Sequence, residues 1–277
     1  MITADFHTHC LFSTDSDAEP EAMAAAAAGK QLSYLCFTDH MDLDYPESTK
    51  TAPLFVFSPD EYFRRLLPLR NKRTASPLQI RIGIELGLLP HRPDIAIQQK
   101  KMLSGYPFDF VLASVHLLDG KDPYYKEFWH DVTKETALAR YFDTMLSSVT
   151  EYTDFDSLAH LDYIIRYIPS LAGTKDYRYA DFKEVLDEIL RFLIAEGKAL
   201  EINTKGLSAG LDCFHPSLEV LKHYRELGGR LLTIGSDAHE PTAIAAGYKK
   251  TRELLLSCGF TSYCVFTERN AKEVLLK

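Results

Sequence analysis

ITADFHTHC, residues 2–10, places two histidines, His7 and His9, directly after a short apolar run typical of a buried β-strand. Side chains alternate between the two faces of a strand, so a His-x-His pair turns both imidazoles to the same side. Two imidazoles placed in this way can bind one cation or flank two. An isolated pair is a weak signal, so its meaning depends on which residues follow the other strands of the chain.

Similar apolar runs recur along the chain and alternate with stretches of helical periodicity. The candidate strands are residues 2–6, 33–38, 78–84, 109–114, 156–160, 199–203, 231–236 and 262–267. The candidate helices are residues 19–29, 58–70, 93–103, 133–149, 179–198, 216–229 and 241–259. This alternation predicts parallel strands joined by helical crossovers, in either a doubly wound sheet or a closed barrel. The first strand is not followed by a G-x-G-x-x-G motif, which disfavours a dinucleotide-binding fold.

Composition narrows the class of protein. The 277-residue chain is 46% hydrophobic and 25% charged, as in ordinary globular proteins, and its length predicts a single domain over residues 1–277. Its five cysteines are scattered without a C-x-x-C pair, so neither a disulfide framework nor a thiolate zinc site is expected.

Charge and hydropathy exclude some partners. A formal net charge of −8 argues against binding to a nucleic acid backbone. The chain shows no signal peptide and no apolar run long enough to span a bilayer, so we expect a cytoplasmic protein without a membrane partner. An anionic small-molecule substrate is compatible with this charge, because bound divalent cations would offset it. We expect a monomer or a small homo-oligomer.

Side chains that can bind metal ions cluster at the C-terminal ends of the candidate strands. They are His7 and His9, Asp39 and His40, Glu85, His116, His160, Asn203, and Asp237 with His239. In a parallel barrel these ends converge on one rim, where active sites of such folds lie. Imidazole and carboxylate ligands together suit Zn, Mn or Fe ions. The set, with Asp15 or Asp17, exceeds the needs of one four-coordinate ion, so we expect more than one metal.

Other polar residues follow strands on the same predicted rim. Arg166, Lys205 and His215 could hold an anionic group, although a surface or loop position explains each of them as well. The acidic loops MDLDYPE (41–47) and LLDGKD (117–122) could supply carboxylates for a cationic part of the substrate, with solvated loop charge as the alternative.

The motifs DFHTHCLFSTD, FTDH, IGIE, SVH, AHLD and IGSDAHEP together resemble those of the polymerase and histidinol phosphatase (PHP) family, over roughly residues 2–245. The resemblance implies a distorted (β/α)7 TIM-like barrel with a metal centre of two to three divalent ions (Zn, Mn or Fe). The single-domain length, the EINTKGL stretch and the lack of a polymerase portion make the chain most similar to the family's histidinol-phosphate phosphatases of histidine biosynthesis.

The resemblance also implies a ligand set. It assigns His7, His9, Glu85 and Asp237 to the first metal, Glu85, His116 and His160 to the second, and Asp15, His40 and His239 to the third. Histidine is commonest in the family at the position of Asp15, and Asp17 is an alternative ligand. Catalytic roles are expected for Glu85, Asp237 and His239, and substrate-binding roles for Arg166, Asn203, Lys205 and His215.

We therefore expect a phosphomonoesterase that hydrolyses L-histidinol phosphate to L-histidinol and phosphate. Divalent cations neutralise phosphoryl oxygens and lower the pKa of bound water, so a metal-bound hydroxide is expected to attack phosphorus in line. One alternative is a related PHP phosphoesterase acting on a nucleotide or a nucleic acid 3′ end. A metal-dependent amidohydrolase fits the motif order poorly, and the alternative from another class is a noncatalytic metal-binding module.

Overall fold

The central element of the structure is a parallel β-sheet whose strands lie side by side in chain order. The structure, a computed structural model, describes residues 1–46, 54–72, 76–208, 210–211 and 214–276. Within these ranges the sheet consists of β1 (Ala4–Thr8), β2 (Tyr34–Phe37), β3 (His40–Met41), β4 (Gln79–Gly87), β5 (Phe110–Ser114), β6 (Ser157–Leu158), β7 (Ala199–Asn203) and β8 (Leu232–Gly235). The two-residue β3 continues from β2 and pairs with the end of β4, so seven strand positions follow one another around the sheet.

The ends of β1 and β8 meet and nearly close the sheet into a barrel. The backbone N–H of Asp237 donates to the carbonyl of His7, and the N–H of His9 donates to the carbonyl of Ala238, both at 2.8 Å. Thr8 and Ala238 form a parallel bridge between these bonds. The sequence left a doubly wound sheet and a barrel open, and these contacts confirm the distorted seven-stranded barrel that the resemblance implied.

Helices cover the outside of the barrel. They are α1 (Pro20–Gly29), α2 (Pro59–Asn71), α3 (Pro93–Gly105), α4 (Lys134–Glu151), α5 (Lys183–Ala195), α6 (Lys205–Ser208), α7 (Leu218–Glu226) and α8 (Tyr248–Ser257). Proline opens α1, α2 and α3, where its fixed φ suits the first turn and its missing N–H costs no hydrogen bond. No helix among the described residues is both long enough and apolar enough to span a membrane.

Two predicted helices begin later than expected. The segment 179–198 starts with a 3-10 turn, Tyr179–Asp181, before α5. The segment 241–259 contains a 3-10 turn, Pro241–Ala243, and then a loop before α8. Gly247, which precedes α8, has φ of +74°, a left-handed conformation that interrupts a continuous helix.

A hairpin covers the N-terminal end of the barrel. The predicted strand 262–267 forms β9 (Ser262–Thr267), but it pairs antiparallel with β10 (Asn270–Leu275) instead of joining the parallel sheet. At the hairpin turn, Arg269 contacts Asp154 at 3.0 Å and Asp156 at 2.7 Å, just before β6. The hairpin therefore leaves open the opposite end of the barrel, where the parallel strands finish.

Candidate metal centre and active site

The C-terminal strand ends surround a cavity of about 350 Å³. Its wall comprises Asp15, His40, Asp42, Tyr45, Phe55, Glu85, His116, Asp122, Tyr124, Tyr125, His160, Tyr163, Arg166, Tyr167, Lys205, Asp237 and His239. His7 and His9 lie beneath this wall and are fully buried. Most of the predicted metal-binding residues are thus brought to one place by the barrel.

The first cluster lies at the bottom of the cavity. The Nε2 atoms of His7 and His9 are 3.1 Å apart and lie 3.2 and 3.5 Å from Glu85 Oε2. Asp237 Oδ1 lies 3.9 Å from the Nε2 of His7 and 3.6 Å from that of His9. Asp237 follows β8 with φ of +54°, a left-handed conformation that few residues other than glycine adopt readily.

The second cluster uses the other carboxylate oxygen of Glu85. Oε1 lies 3.1 Å from His160 Nε2 and 3.4 Å from His116 Nε2, and it accepts a hydrogen bond from the Ser114 hydroxyl. Glu85 is fully buried, and its two oxygens face two different groups of histidines. It would therefore be able to bridge two cations, if both clusters hold one.

A third cluster lies nearer to solvent. Asp15 Oδ2 is 3.1 Å from His239 Nε2 and 3.8 Å from His40 Nε2. The His9 ring is stacked between the rings of His40 and His239, with centroids 4.3 and 4.2 Å away. Both candidate carboxylates are exposed to solvent, but Asp15 lines the cavity and contacts both histidines.

These clusters fit metal ions. In each of four groups, the candidate ligand atoms lie within 4.8 Å of one another. The groups, drawn from the described residues, are His7–His9–Glu85, Glu85–His116–His160, His9–His40–His239 and His40–Asp42–His116. In addition, Glu85 Oε2 and His40 Nδ1 are buried 2.9 Å apart. Neither atom has a hydrogen-bond partner among the described residues. Buried polar atoms of this kind normally have a partner, and a cation would provide one.

A second set of side chains contacts the Nδ1 atoms of the histidines, on the side of each ring that faces away from the clusters. Nδ1 of His7 contacts Glu201 at 2.6 Å, that of His116 contacts Asp42 at 2.7 Å, and that of His9 contacts Ser13 at 2.9 Å. Each contact leaves Nε2 facing the centre, as in metal sites whose ligands are oriented by outer hydrogen bonds. Glu201 was not among the residues predicted from the sequence. The available signal was a charged side chain within a buried strand, on the same face as Asn203.

The charged side chains of the candidate metal centre shift one another's pKa values. Burial would lower the pKa of His7, but the negative charges of Glu201, Glu85 and Asp237 raise it well above its usual value. Burial would raise the pKa of Glu85, but surrounding histidines hold it well below its usual value. Burial and neighbouring histidines lower the pKa of His9. The carboxylates are therefore ionised beside imidazoles, an arrangement in which protons and cations compete for the same sites.

Two cationic side chains lie beside Asp237. Arg166 Nη1 is 3.2 Å from Asp237 Oδ2, and its guanidinium lies 5.3 Å from the centroid of the Tyr163 ring. Arg166 Nε and Nη2 are buried and have no hydrogen-bond partner among the described residues. Lys205 Nζ donates to the Asp237 carbonyl at 2.9 Å. Both residues line the cavity, and their role in holding an anionic group stays a prediction.

Asn203 and His215 lie behind the cavity wall. Asn203 is buried, with Nδ2 3.3 Å from His7 Nδ1 and 3.4 Å from Asp237 Oδ2. His215 pairs with Asn203 through two backbone hydrogen bonds, and its Nδ1 contacts Asp162 at 2.5 Å. Asn203 therefore contacts two candidate ligands, whereas the fully buried His215 contacts Asn203 and Asp162 and does not line the cavity.

The far side of the cavity is acidic and aromatic. The buried Asp122 accepts hydrogen bonds from the Tyr45 hydroxyl and the Tyr124 backbone N–H, both at 2.8 Å. Tyr124, Tyr167 and Tyr163 form a chain of ring contacts leading to His160. The two acidic loops thus contribute Asp42 and Asp122, while Glu47 at the end of the first loop lies outside the described residues.

A parallel barrel with clustered histidines and a shared carboxylate at its C-terminal rim defines the site of a metal-dependent hydrolase. Residues 5–205 match the PHP domain, and the chain belongs to the PHP family. Asp237 and His239 lie beyond the matched range.

Relatives that match nearly the whole chain cover these residues as well. A Clostridium acetobutylicum protein named probable histidinol-phosphatase is 35% identical over 92% of this chain and 93% of its own. The histidinol-phosphatase of Lactococcus lactis subsp. lactis is 32% identical over 99% of both chains. The crystal structure of histidinol phosphate phosphatase from that organism, complexed with zinc, L-histidinol and phosphate, matches with a TM-score of 0.86. It is 31% identical over 98% of both chains.

Proposed function

We propose that the protein is a metal-dependent phosphomonoesterase that hydrolyses L-histidinol phosphate to L-histidinol and phosphate. The observation that carries this proposal is the position of Glu85, whose two oxygens face two histidine clusters beneath a cavity with one cationic and one acidic side. The names of the curated relatives and the ligands of the Lactococcus structure support the same substrate.

The residues present would hold two to three divalent ions. The first would be held by His7, His9, Glu85 and Asp237, the second by Glu85, His116 and His160, and the third by Asp15, His40 and His239. Zinc, manganese and iron all suit this mixture of imidazole and carboxylate ligands. When bound, such ions polarise phosphoryl oxygens and lower the pKa of water, which is the chemistry that phosphoester hydrolysis requires.

The cationic side of the cavity suits the phosphate. Arg166 lies against Asp237 and the Tyr163 ring, and two of its nitrogens are buried without a hydrogen bond among the described residues. A phosphate oxygen could accept hydrogen bonds from these nitrogens, since guanidinium groups bind phosphate through parallel N–H donors. Lys205 adds a second positive charge on the same side. Together they would orient the phosphoryl group and balance its charge.

The opposite side suits the histidinol portion of the substrate. Histidinol carries an ammonium group and an imidazole ring. Asp122 is held in place by Tyr45 and Tyr124 and could pair with the ammonium group. The rings of Tyr163 and Tyr167 offer a surface on which an imidazole can stack. We expect the enzyme to act on this substrate in the cytoplasm, as a monomer or small homo-oligomer.

A substrate panel tests this proposal. The metal-stripped protein would be reloaded separately with Zn²⁺, Mn²⁺ and Fe²⁺, and phosphate release measured from histidinol phosphate, AMP, glycerol phosphate and a DNA oligonucleotide with a 3′-phosphate. We expect the highest kcat/KM on histidinol phosphate and fewer than one turnover without metal. Preference for AMP or DNA would overturn the substrate while keeping the chemistry. No phosphate release by fully metal-loaded protein would instead support a noncatalytic metal-binding module.

A further inference from the structure

Glu201 lies in the middle of β7, and its side chain is buried, with only 1% of the residue exposed. Its Oε1 contacts His7 Nδ1 at 2.6 Å. Its Oε2 accepts hydrogen bonds from the backbone N–H of His160 at 2.8 Å and from Asn203 Nδ2 at 3.3 Å. The Glu201 carboxylate thus contacts two candidate metal ligands, His7 in β1 and His160 after β6.

The contact with His7 determines which ring nitrogen faces the metal centre. A carboxylate accepts hydrogen bonds and has none to donate, so Nδ1 of His7 carries the proton in this pair. The other nitrogen, Nε2, lies 3.2 Å from Glu85 and 3.1 Å from His9 Nε2. Glu201 therefore holds the ring with Nε2 available to a cation.

The contact with His160 replaces a missing sheet interaction. β6 is only two residues long, and its register with β7 pairs Ser157 with Ala199 and Leu158 with Leu200. Beyond this point the backbone ladder stops, and the N–H of His160 donates to the side chain of Glu201. A carboxylate thus fixes the backbone from which His160 reaches Glu85.

The neighbouring strand leaves just enough room for this carboxylate. Gly235 in β8 lies so close that a Cβ atom there would be 2.5 Å from Glu201 Oε1 and 2.2 Å from His7 Cβ. The absence of a side chain at position 235 therefore permits the Glu201–His7 contact.

From these contacts we propose that Glu201 is a positioning residue that couples the first and second metal positions by holding His7 and His160 together. The inference rests on the metal centre proposed above. Because Glu201 is fixed to one ligand of each position, weakening its contacts should loosen both metals. A residue acting on His7 alone would loosen only the first.

The test compares Glu201→Gln with wild type and with Glu188→Gln, the same change on the exposed face of α5. The glutamine is similar in size, but its amide cannot accept hydrogen bonds at both former oxygen positions. Zn²⁺ and Mn²⁺ affinities would be measured by chelator competition, and metals per chain by elemental analysis after dialysis. We expect affinity about 10- to 100-fold lower at two positions, as found for other outer carboxylates, and no change in Glu188→Gln.

A shorter carboxylate provides a second test that does not depend on the first variant folding. Glu201→Asp keeps the charge but shortens the reach towards His7 and His160, so we expect lower affinity at both positions. Loss at the first position alone would overturn the coupling. Nitrogen NMR of the zinc-loaded protein adds a direct readout, in which His7 should change its Nδ1–H signal in both variants. Wild-type metal affinity in a folded Glu201 variant would overturn the inference, even if its unfolding free energy fell. A wild-type protein that binds metals without turnover would instead overturn the proposed function.

Discussion

Replacing Gly235 with alanine should damage both the barrel closure and the metal centre. The added methyl group would lie 2.2 Å from His7 Cβ and 3.2 Å from His7 Cα. Non-bonded carbon atoms normally approach to about 3.5–4.0 Å, so relieving the first contact requires a displacement of more than about 1 Å. The atoms involved are close to the backbones of β1 and β8, which cannot rotate away as a flexible side chain could.

The consequence for stability and metal binding follows from this displacement. Overpacking of a well-packed core costs about 1–3 kcal/mol, and we expect the upper part of this range because two strands must move apart. The displacement also moves Asp237 relative to His7, since the Asp237 N–H bonds the His7 carbonyl. Metal–ligand distances tolerate deviations of only about 0.2 Å, so metal occupancy should fall as well.

Urea unfolding of the metal-free protein and elemental analysis after dialysis with metal would measure the two effects of Gly235→Ala. Gly105→Ala at the end of α3 is the matched control, because a Cβ there meets no atom within 4 Å. We expect this control to be neutral or to stabilise slightly, since alanine has the higher helix propensity. The reasoning would be refuted if Gly235→Ala matched wild type in unfolding free energy and metal content.

Three further perturbations test separate parts of the structure. Asp122→Asn should lower kcat/KM for histidinol phosphate by about 10- to 100-fold, because hydrogen bonds to charged groups contribute about 1.5–3 kcal/mol. Phenyl phosphate, which has no ammonium group, should be hydrolysed at the wild-type rate, and an equal loss on both esters would contradict the role of Asp122. Arg269→Ala should lower the unfolding free energy by about 1–2 kcal/mol, discounted for the partial exposure of Arg269, with metal content unchanged. Unaltered urea unfolding would show that the contact with Asp156 contributes nothing. Chelation should lower the melting temperature, because each bound ion adds about 2.7 kcal/mol at a free concentration 100 times its Kd. Differential scanning calorimetry with and without added Zn²⁺ measures the change in melting temperature. Identical curves would show that bound metal does not stabilise the folded protein.

The parallel strands and the polar rim could be predicted from local patterns, whereas the choice of a barrel over a doubly wound sheet came from the family resemblance. Alternating strands and helices predict parallel pairing, and the polar residue after each strand marks the rim. Strand alternation placed His7 and His9 on one face, and the polar residues at the other strand ends marked them as candidate metal ligands. Glu85 was identifiable as a strand-end carboxylate, but its bridging position came from the family resemblance.

Features that depend on contacts distant in sequence could not be predicted in the same way. The pairing of β9 with β10 could not be predicted because NAKEVL, residues 270–275, is half polar, mostly exposed, and lacks the alternation of a half-buried strand. The support that Glu201 gives to His7 spans 194 residues. Likewise, only the folded chain shows that His215 contacts Asp162 instead of the cavity.

The hydrogen bonds that join β1 to the segment after β8 also bear on how the protein acquires its metals. His7 lies near the start of the chain, whereas Asp237 follows the last strand of the barrel. During synthesis, the first metal position therefore stays incomplete until nearly the whole barrel has emerged and folded. Contacts between residues far apart in sequence form slowly, because the entropy of closing the intervening chain must be lost first. Full-affinity metal uptake should then be one of the last events in the maturation of this protein.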